Sequence, residues 1–140
     1  MQHYVLTLVF DPRTFHLVTL IKKKGPAFLI GKLTAPGGKR DLLSTGLETP
    51  QQAASREIAE ETSLHVPESD WSVLTTKQGD WGSLVVLAAP HEGVLHARTM
   101  EVEEVSVHTI DVLLSMPRDT LAPDLPELLE LLLHHVYTAP

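Results

Sequence analysis

The chain has no cysteine in its 140 residues. Disulfides, thiolate zinc centres and cysteine nucleophiles are therefore excluded, and a reducing cytoplasm fits that composition. Aromatic residues make up only 5% of the chain, so each is read first as a core residue. Basic residues are also in deficit: 11 Lys and Arg stand against 18 Asp and Glu, a formal net charge of -7. A broad nucleic-acid surface is unlike this balance, because phosphate backbones are held by Lys and Arg. A small anionic substrate held through metal ions remains compatible with it. No apolar run approaches the length needed to cross a membrane. Residues 1–11 lack a basic leading segment and stop at Asp11, so they do not read as a signal peptide. There is no internal repeat and no low-complexity tract.

What is present suits one domain, residues 1–140, with a real core: 43% of the residues are hydrophobic. Residues 5–10 and 15–21 read as strands joined by Asp11-Pro12-Arg13 into a hairpin. Lys22-Lys23-Lys24-Gly25-Pro26 reads as a solvated basic turn, with phosphate binding as the sharper alternative. Residues 29–32 and 33–36 are expected as short strand pieces, and 39–49 as loop. Thr49 and Pro50 are an N-cap and first helical residue, starting a helix that runs to about Thr62. Strands are expected at 71–76 and 84–88 around Gln78-Gly79-Asp80, and again at 102–110, with a loop between. One helical turn at 111–115 and a helix over 126–137 complete the chain. Asp124 stands near the start of that helix and His134 and His135 in its last turn, which suits the helix dipole. Strands and helices alternate irregularly, as in an α/β or α+β sandwich with a mixed sheet.

Residues 56–64 carry the chemistry. They read Arg-Glu-Ile-Ala-Glu-Glu-Thr-Ser-Leu and place Glu57, Glu60 and Glu61 at i, i+3 and i+4. On a helix that spacing stacks three carboxylates on one face. Like charges so placed repel by roughly a few tenths of a kcal/mol per pair, so a cation in front of them is expected. Hard oxygen ligands in a partly open array suit Mg²⁺, with Mn²⁺ as the other candidate. Upstream, Ala35-Pro36-Gly37-Gly38-Lys39 is a turn able to bring bare backbone close to the same ions.

Together Gly37-Gly38, Glu48 and the run from Arg56 to Leu64 resemble the signature of the Nudix hydrolases. Seven residues separate Glu48 from Arg56, as that pattern asks, and Arg-Glu-Ile-Ala-Glu-Glu matches in full. Two positions depart from it. Nine residues rather than five lie between Gly38 and Glu48, an insertion of four beside the expected metal site. The family glycine after the Glu-Glu pair is Ser63, where left-handed backbone would cost serine about 1 kcal/mol.

The resemblance implies a Nudix-type α/β/α sandwich around a central mixed β-sheet. It implies a Mg²⁺-dependent pyrophosphohydrolase whose activated water cleaves a nucleoside diphosphate derivative. A nucleoside triphosphate going to monophosphate and pyrophosphate is preferred, with ADP-ribose or another nucleotide sugar next. A nucleotide-binding module without turnover is the rival. By the same resemblance Glu57, Glu60 and Glu61 hold the metal with backbone at Gly37. Glu57 shares ligand and base duties, Arg56 orients the carboxylates, and Glu48 and Gly38 are structural. A further acidic residue later in the chain is expected among Glu101, Glu103 and Glu104, with Glu103 or Glu104 preferred. Phe28, Trp81 and Phe10 are the aromatics able to stack on a base, and Lys39 is a further substrate contact. A homodimer is one assembly the family makes available, with a small nucleotide as partner and neither a nucleic-acid polymer nor a membrane.

Overall fold

The computed structural model describes residues 1–138. Nine strands and three helices follow one another: β1 (Gln2–Phe10), β2 (His16–Ile21), β3 (Leu33–Thr34), β4 (Gly37–Lys39), β5 (Leu42–Leu43), β6 (Gly46–Leu47), α1 (Pro50–Thr62), β7 (Ser72–Gly79), β8 (Gly82–Pro90), β9 (Glu104–Thr109), α2 (Ile110–Ser115) and α3 (Leu125–Thr138). Seven strands form one mixed sheet in the order β3-β2-β1-β8-β7, with β4 added to β1 and β9 to β2. β1 and β8 are its axis, paired in parallel from Gln2–Gly82 to Phe10–Pro90.

Alternation along the axial strands sends side chains to two cores. Val5 and Val9 of β1 and Val85, Leu87 and Ala89 of β8 pack with Ala53, Ala54 and Ile58 of α1. Leu8, Phe10, Val86 and Ala88 pack on the other face with Leu125, Leu128, Leu129 and Leu132 of α3. The result is the α/β/α sandwich with a central mixed sheet that the resemblance implied. Phe10 is buried in the second of these cores.

Helix α1 begins and ends as its sequence directs. Thr49 Oγ1 accepts from the Gln52 amide at 3.1 Å, and Gln52 Oε1 accepts from the Thr49 amide at 2.9 Å. This reciprocal cap, with Pro50 following it, satisfies two amides that would otherwise lack partners. At the other end Ser63 adopts φ 67° and ψ 0°, the left-handed conformation that glycine tolerates best. Ser63→Gly should therefore stabilise the protein by about 1 kcal/mol, raising Tm by roughly 3 °C. A thermal melt in which the glycine variant unfolds at or below the wild-type temperature would contradict this.

Three local expectations differ from the structure. Residues 29–32 are not a strand: Ala27–Leu29 makes a single 3-10 turn, with the Leu29 amide donating to the Pro26 carbonyl. The 39–49 segment is not all loop, because its inserted residues close into the β5–β6 hairpin, pairing Leu42 with Leu47 and Leu43 with Gly46. The turn after β7 lies one residue later than expected, at Asp80-Trp81, between the paired Gly79 and Gly82. In each case short-range turn residues were present, and pairing with a neighbouring segment decided where the chain reversed.

Candidate functional site

Gly37-Gly38, expected as a turn, is instead part of strand β4, which pairs antiparallel with the early part of β1 through Tyr4–Lys39, Val5–Gly38 and Leu6–Gly37. Helix α1 lies against it. Close approach explains both glycines: a Cβ at Gly37 would strike the Val5 carbonyl, and one at Gly38 would stand 2.5 Å from Glu57 Oε1. Any side chain at 38 would occupy the space of the Glu57 carboxylate.

Arg56 is the hub. Its Nε donates to Glu48 Oε2 at 2.9 Å and its Nη2 to Glu48 Oε1 at 2.8 Å, a two-pronged pair. Nη1 donates to Glu57 Oε1 at 3.0 Å and to Glu60 Oε2 at 3.2 Å. Nη2 also donates to the Lys39 carbonyl at 2.9 Å, which ties α1 to β4. Glu48 is buried, and its Oε1 accepts from the Asp41 amide. Hydrogen bonding from Arg56 holds its carboxyl below the ordinary value, against the opposing effect of burial. Arg40 Nε donates to the Glu48 carbonyl at 2.9 Å, and Glu48 N donates to the Asp41 carbonyl at 2.8 Å. The inserted hairpin is thus anchored at its base onto the same ion pair.

Glu57 and Glu61 lie deeper. Burial is the main cause that raises the proton affinity of both. Glu61 is pushed up to about 9 by burial, then by its hydrogen bond to Glu57 and by the Glu57 and Glu103 charges, while the Gly37 amide acts in the opposite direction. In the absence of a cation, burial and the neighbouring carboxylate thus favour the protonated form of Glu61. A group whose folded value is raised contributes stability that is fully present below its unfolded value of 4.5 and is lost as pH rises through the folded one. In chelator, Tm should therefore fall as pH is taken from 5 toward 9, and Glu61→Gln should make that decline shallower. Equal slopes for the two proteins would contradict the raised proton affinity of Glu61.

Glu61, Gly37 and Gly38 line a cavity of about 370 Å³. Its walls are largely apolar, from Leu6, Leu20, Leu29 and Leu84 among others. Trp81 and Tyr4 close one side, their ring centroids 6.2 Å apart. Glu103 and Lys22 close another, with Lys22 Nζ 3.2 Å from Glu103 Oε2.

The structure thus gathers Arg56, Glu57, Glu61, Gly37, Gly38 and Glu48 in one place and brings Glu103 and Trp81 to the adjoining cavity. Glu60 sits on the same helix at its open edge, with its side chain 49% exposed and paired to Arg56. Other expected residues lie elsewhere. Glu104 faces outward, 62% exposed, opposite Lys23. Glu101 is exposed. Phe28 lines an adjoining cavity of about 270 Å³ that shares Leu6, Leu29, Thr34 and Leu84 with the first. Lys39 offers its carbonyl to Arg56 while the residue itself is exposed. Tyr4 is a cavity residue that sequence reasoning passed over, and Lys22 is one that it read as part of a solvated basic turn, with phosphate binding as the alternative. Tyr4 has no local signal, and Lys22 was hidden in a run of three lysines.

The donor set fits a divalent cation. Glu57 and Glu61 offer hard carboxylate oxygens, held close and at a cost of burial and repulsion that positive charge would relieve. Among the described residues no three His, Asp or Glu side chains are already gathered around one point; Glu60 turns to Arg56 instead.

Fold and site together define a class: an α/β/α sandwich whose first long helix turns a carboxylate face toward a Gly-Gly strand. A family model described as the NUDIX domain matches residues 2–132, so the chain belongs to the Nudix family. It is a Nudix hydrolase, a pyrophosphohydrolase acting on nucleotide phosphoric anhydrides, and members of this family generally use divalent metals. Among solved structures it is similar to the NUDIX domain of Shewanella oneidensis NrtR complexed with ADP ribose, with 20% identity, TM-score 0.73, and 96% of this chain and 87% of that one covered. It is similar to a MutT structure from work on Aliivibrio salmonicida and Vibrio cholerae, with 17% identity, TM-score 0.68, and 94% and 96% covered. The E. coli ORF135 protein is a third, at 20% identity, TM-score 0.70, and 100% and 94% covered. At these identities the likeness is one of fold. No curated protein sequence matches the chain. No helix among the described residues is long and apolar enough to cross a membrane.

Proposed function

We propose that this chain, as one Nudix domain acting in the cytoplasm, is a Mg²⁺-dependent pyrophosphohydrolase whose preferred substrate is a nucleoside triphosphate, cut to monophosphate and pyrophosphate. The observation that carries this reading is the close set of Glu57 and Glu61 carboxylates beside Gly37-Gly38, with Glu61 and both glycines lining a cavity of about 370 Å³. Glu57, Glu60 and Glu61 would hold the cation, with backbone at Gly37. When bound, it neutralises the diphosphate and lowers the pKa of the attacking water.

The chain's own residues do the rest. Arg56 fixes the orientation of Glu57 and Glu60 while its fork is anchored by Glu48. Glu103, which lines the same cavity as Glu61, is the candidate to accept a proton from the attacking water, with Glu57 as the alternative. Trp81 and Tyr4 form the aromatic wall available to the substrate's apolar part.

A second reading, ADP-ribose as substrate, is favoured by the similarity to the NrtR domain complexed with ADP ribose. The test is nucleoside monophosphate release from a panel of nucleoside triphosphates, ADP-ribose and other nucleotide sugars, with Mg²⁺ or Mn²⁺ at mildly alkaline pH. Fastest turnover of a triphosphate supports the first reading, and fastest turnover of ADP-ribose the second. No release from any of them overturns both.

A further inference from the structure

Lys22 and Glu103 come together through a sheet pairing distant in sequence. β2 and β9 run antiparallel, and their last register pair is Ile21 with Glu104. Lys22 and Glu103 are the next facing positions. Glu103 is held at both carboxylate oxygens: Lys22 Nζ stands 3.2 Å from Oε2 and 3.4 Å from Oε1, and the Lys23 amide donates to Oε2 at 2.9 Å.

The mount is stiff. The Lys22 amide donates to the Lys32 carbonyl at 3.0 Å, and the Lys22 carbonyl accepts from the Gly31 amide at 2.8 Å. Both side chains are largely withdrawn from water, with 25% of Lys22 and 14% of Glu103 exposed. The neighbouring pair of Lys23 and Glu104 differs. It is looser, at 3.5 Å, it is exposed, and it lies outside the cavity.

An ordinary surface ion pair has no reason to be sunk in the wall of the cavity that holds Glu61. A carboxylate there with no partner would add to the repulsion of Glu57 and Glu61 and would swing freely. One ammonium and one amide remove both effects, because they balance the charge and fix the direction of both oxygens.

We infer that Lys22, assisted by the Lys23 amide, is a positioning residue that holds the Glu103 carboxylate in the wall of the cavity that Glu61 also lines, for the hydrolytic step. This rests on the role given to Glu103 under the proposed function. Lys22 acts through Glu103 and makes no contact with the phosphates of its own.

The test is a double-mutant cycle of Lys22→Met, Glu103→Gln and the double variant. The substrate is whichever of a nucleoside triphosphate or ADP-ribose the wild type hydrolyses fastest, and Lys22→Arg is the conservative control. Lys22→Met is expected to lower kcat by about 10-fold or more while KM changes less than about 3-fold. Lys22→Arg should recover most of the loss. In the Glu103→Gln background the Lys22 change should have almost no further effect, which a general structural role would not produce. A crystal structure of Lys22→Met should show Glu103 displaced, a readout independent of activity.

A raised KM with unchanged kcat would overturn the inference in favour of direct phosphate binding. Full, undiminished effects in the Glu103→Gln background, or an unmoved Glu103 in the crystal, would overturn it as well. If Lys22→Met does not fold, Lys22→Gln takes its place in the same cycle. An inactive wild type would remove the functional reading and this inference with it. An active wild type with an unaffected Lys22→Met would remove this inference alone.

Discussion

Glu60→Gln should reduce turnover by at least about 10²-fold while leaving the melting temperature nearly unchanged. The two halves of this expectation have separate physical grounds. Glu60 is half exposed and its partner is Arg56 Nη1, one helical turn away, so the fold depends on it little: an exposed i, i+4 pair is worth roughly 0.3–0.5 kcal/mol. Its carboxylate charge is another matter. A ligand charge that supports the cation contributes to transition-state stabilisation of several kcal/mol, and each 1.36 kcal/mol is a tenfold in rate. Glutamine keeps the shape and removes the charge. Initial rates at saturating Mg²⁺, with Tm measured alongside, decide it. Unchanged rates would remove Glu60 from the metal set and leave Glu57 and Glu61 as the acidic core.

The second large effect concerns stability. Arg56→Leu should destabilise the protein by about 3 kcal/mol, the lower end of what removing one partner of a buried ion pair costs, and lower Tm by roughly 10 °C. Glu48 is 4% exposed and keeps its negative charge because the Arg56 fork engages both of its oxygens. Remove the fork and the carboxylate is left buried, with the neutral Asp41 amide as its remaining hydrogen-bond donor. Arg56→Lys should fall between wild type and Arg56→Leu, since an ammonium restores charge without the planar two-point geometry. Glu48→Leu combined with Arg56→Leu should recover part of the loss, because the pair is then replaced by apolar volume.

The pH response has a defined sign. Glu48, depressed in the folded state by Arg56, contributes stability present above its unfolded value of 4.5 and lost as pH falls through the folded one. The acid limb of the wild-type stability curve should therefore flatten in Arg56→Leu. Chemical denaturation between pH 3 and 7 checks both points, and a Tm within about 2 °C of wild type would overturn the hub role given to Arg56.

Much of helix α1 was legible beforehand because its determinants are local. Thr49 and Pro50 mark its start, three glutamates at i, i+3 and i+4 share a face under any helix geometry, and Ser63 stands where the left-handed residue must be. The close approach of bare backbone at Gly37-Gly38 was legible for a similar reason, although its form, strand β4 in place of a turn, and what presses on each glycine, the Val5 carbonyl and the Glu57 carboxylate, were not. The inserted residues were recognised as extra, but their closure into a hairpin tied to Glu48 was not foreseen.

The sequence by itself determined the helix, its acidic face, the position of its caps and the family signature, because each depends on residues within one or two helical turns of one another. Tertiary structure alone decided that β1 lies parallel to β8, 80 residues away, which brings Tyr4 to the cavity beside Trp81. It also decided that Glu103 and not Glu104 joins Glu61. Adjacent residues of an extended chain point to opposite sides, and a slip of one residue exchanges them. Only the register of β9 on β2, set by contacts across more than 80 residues, selects between the two.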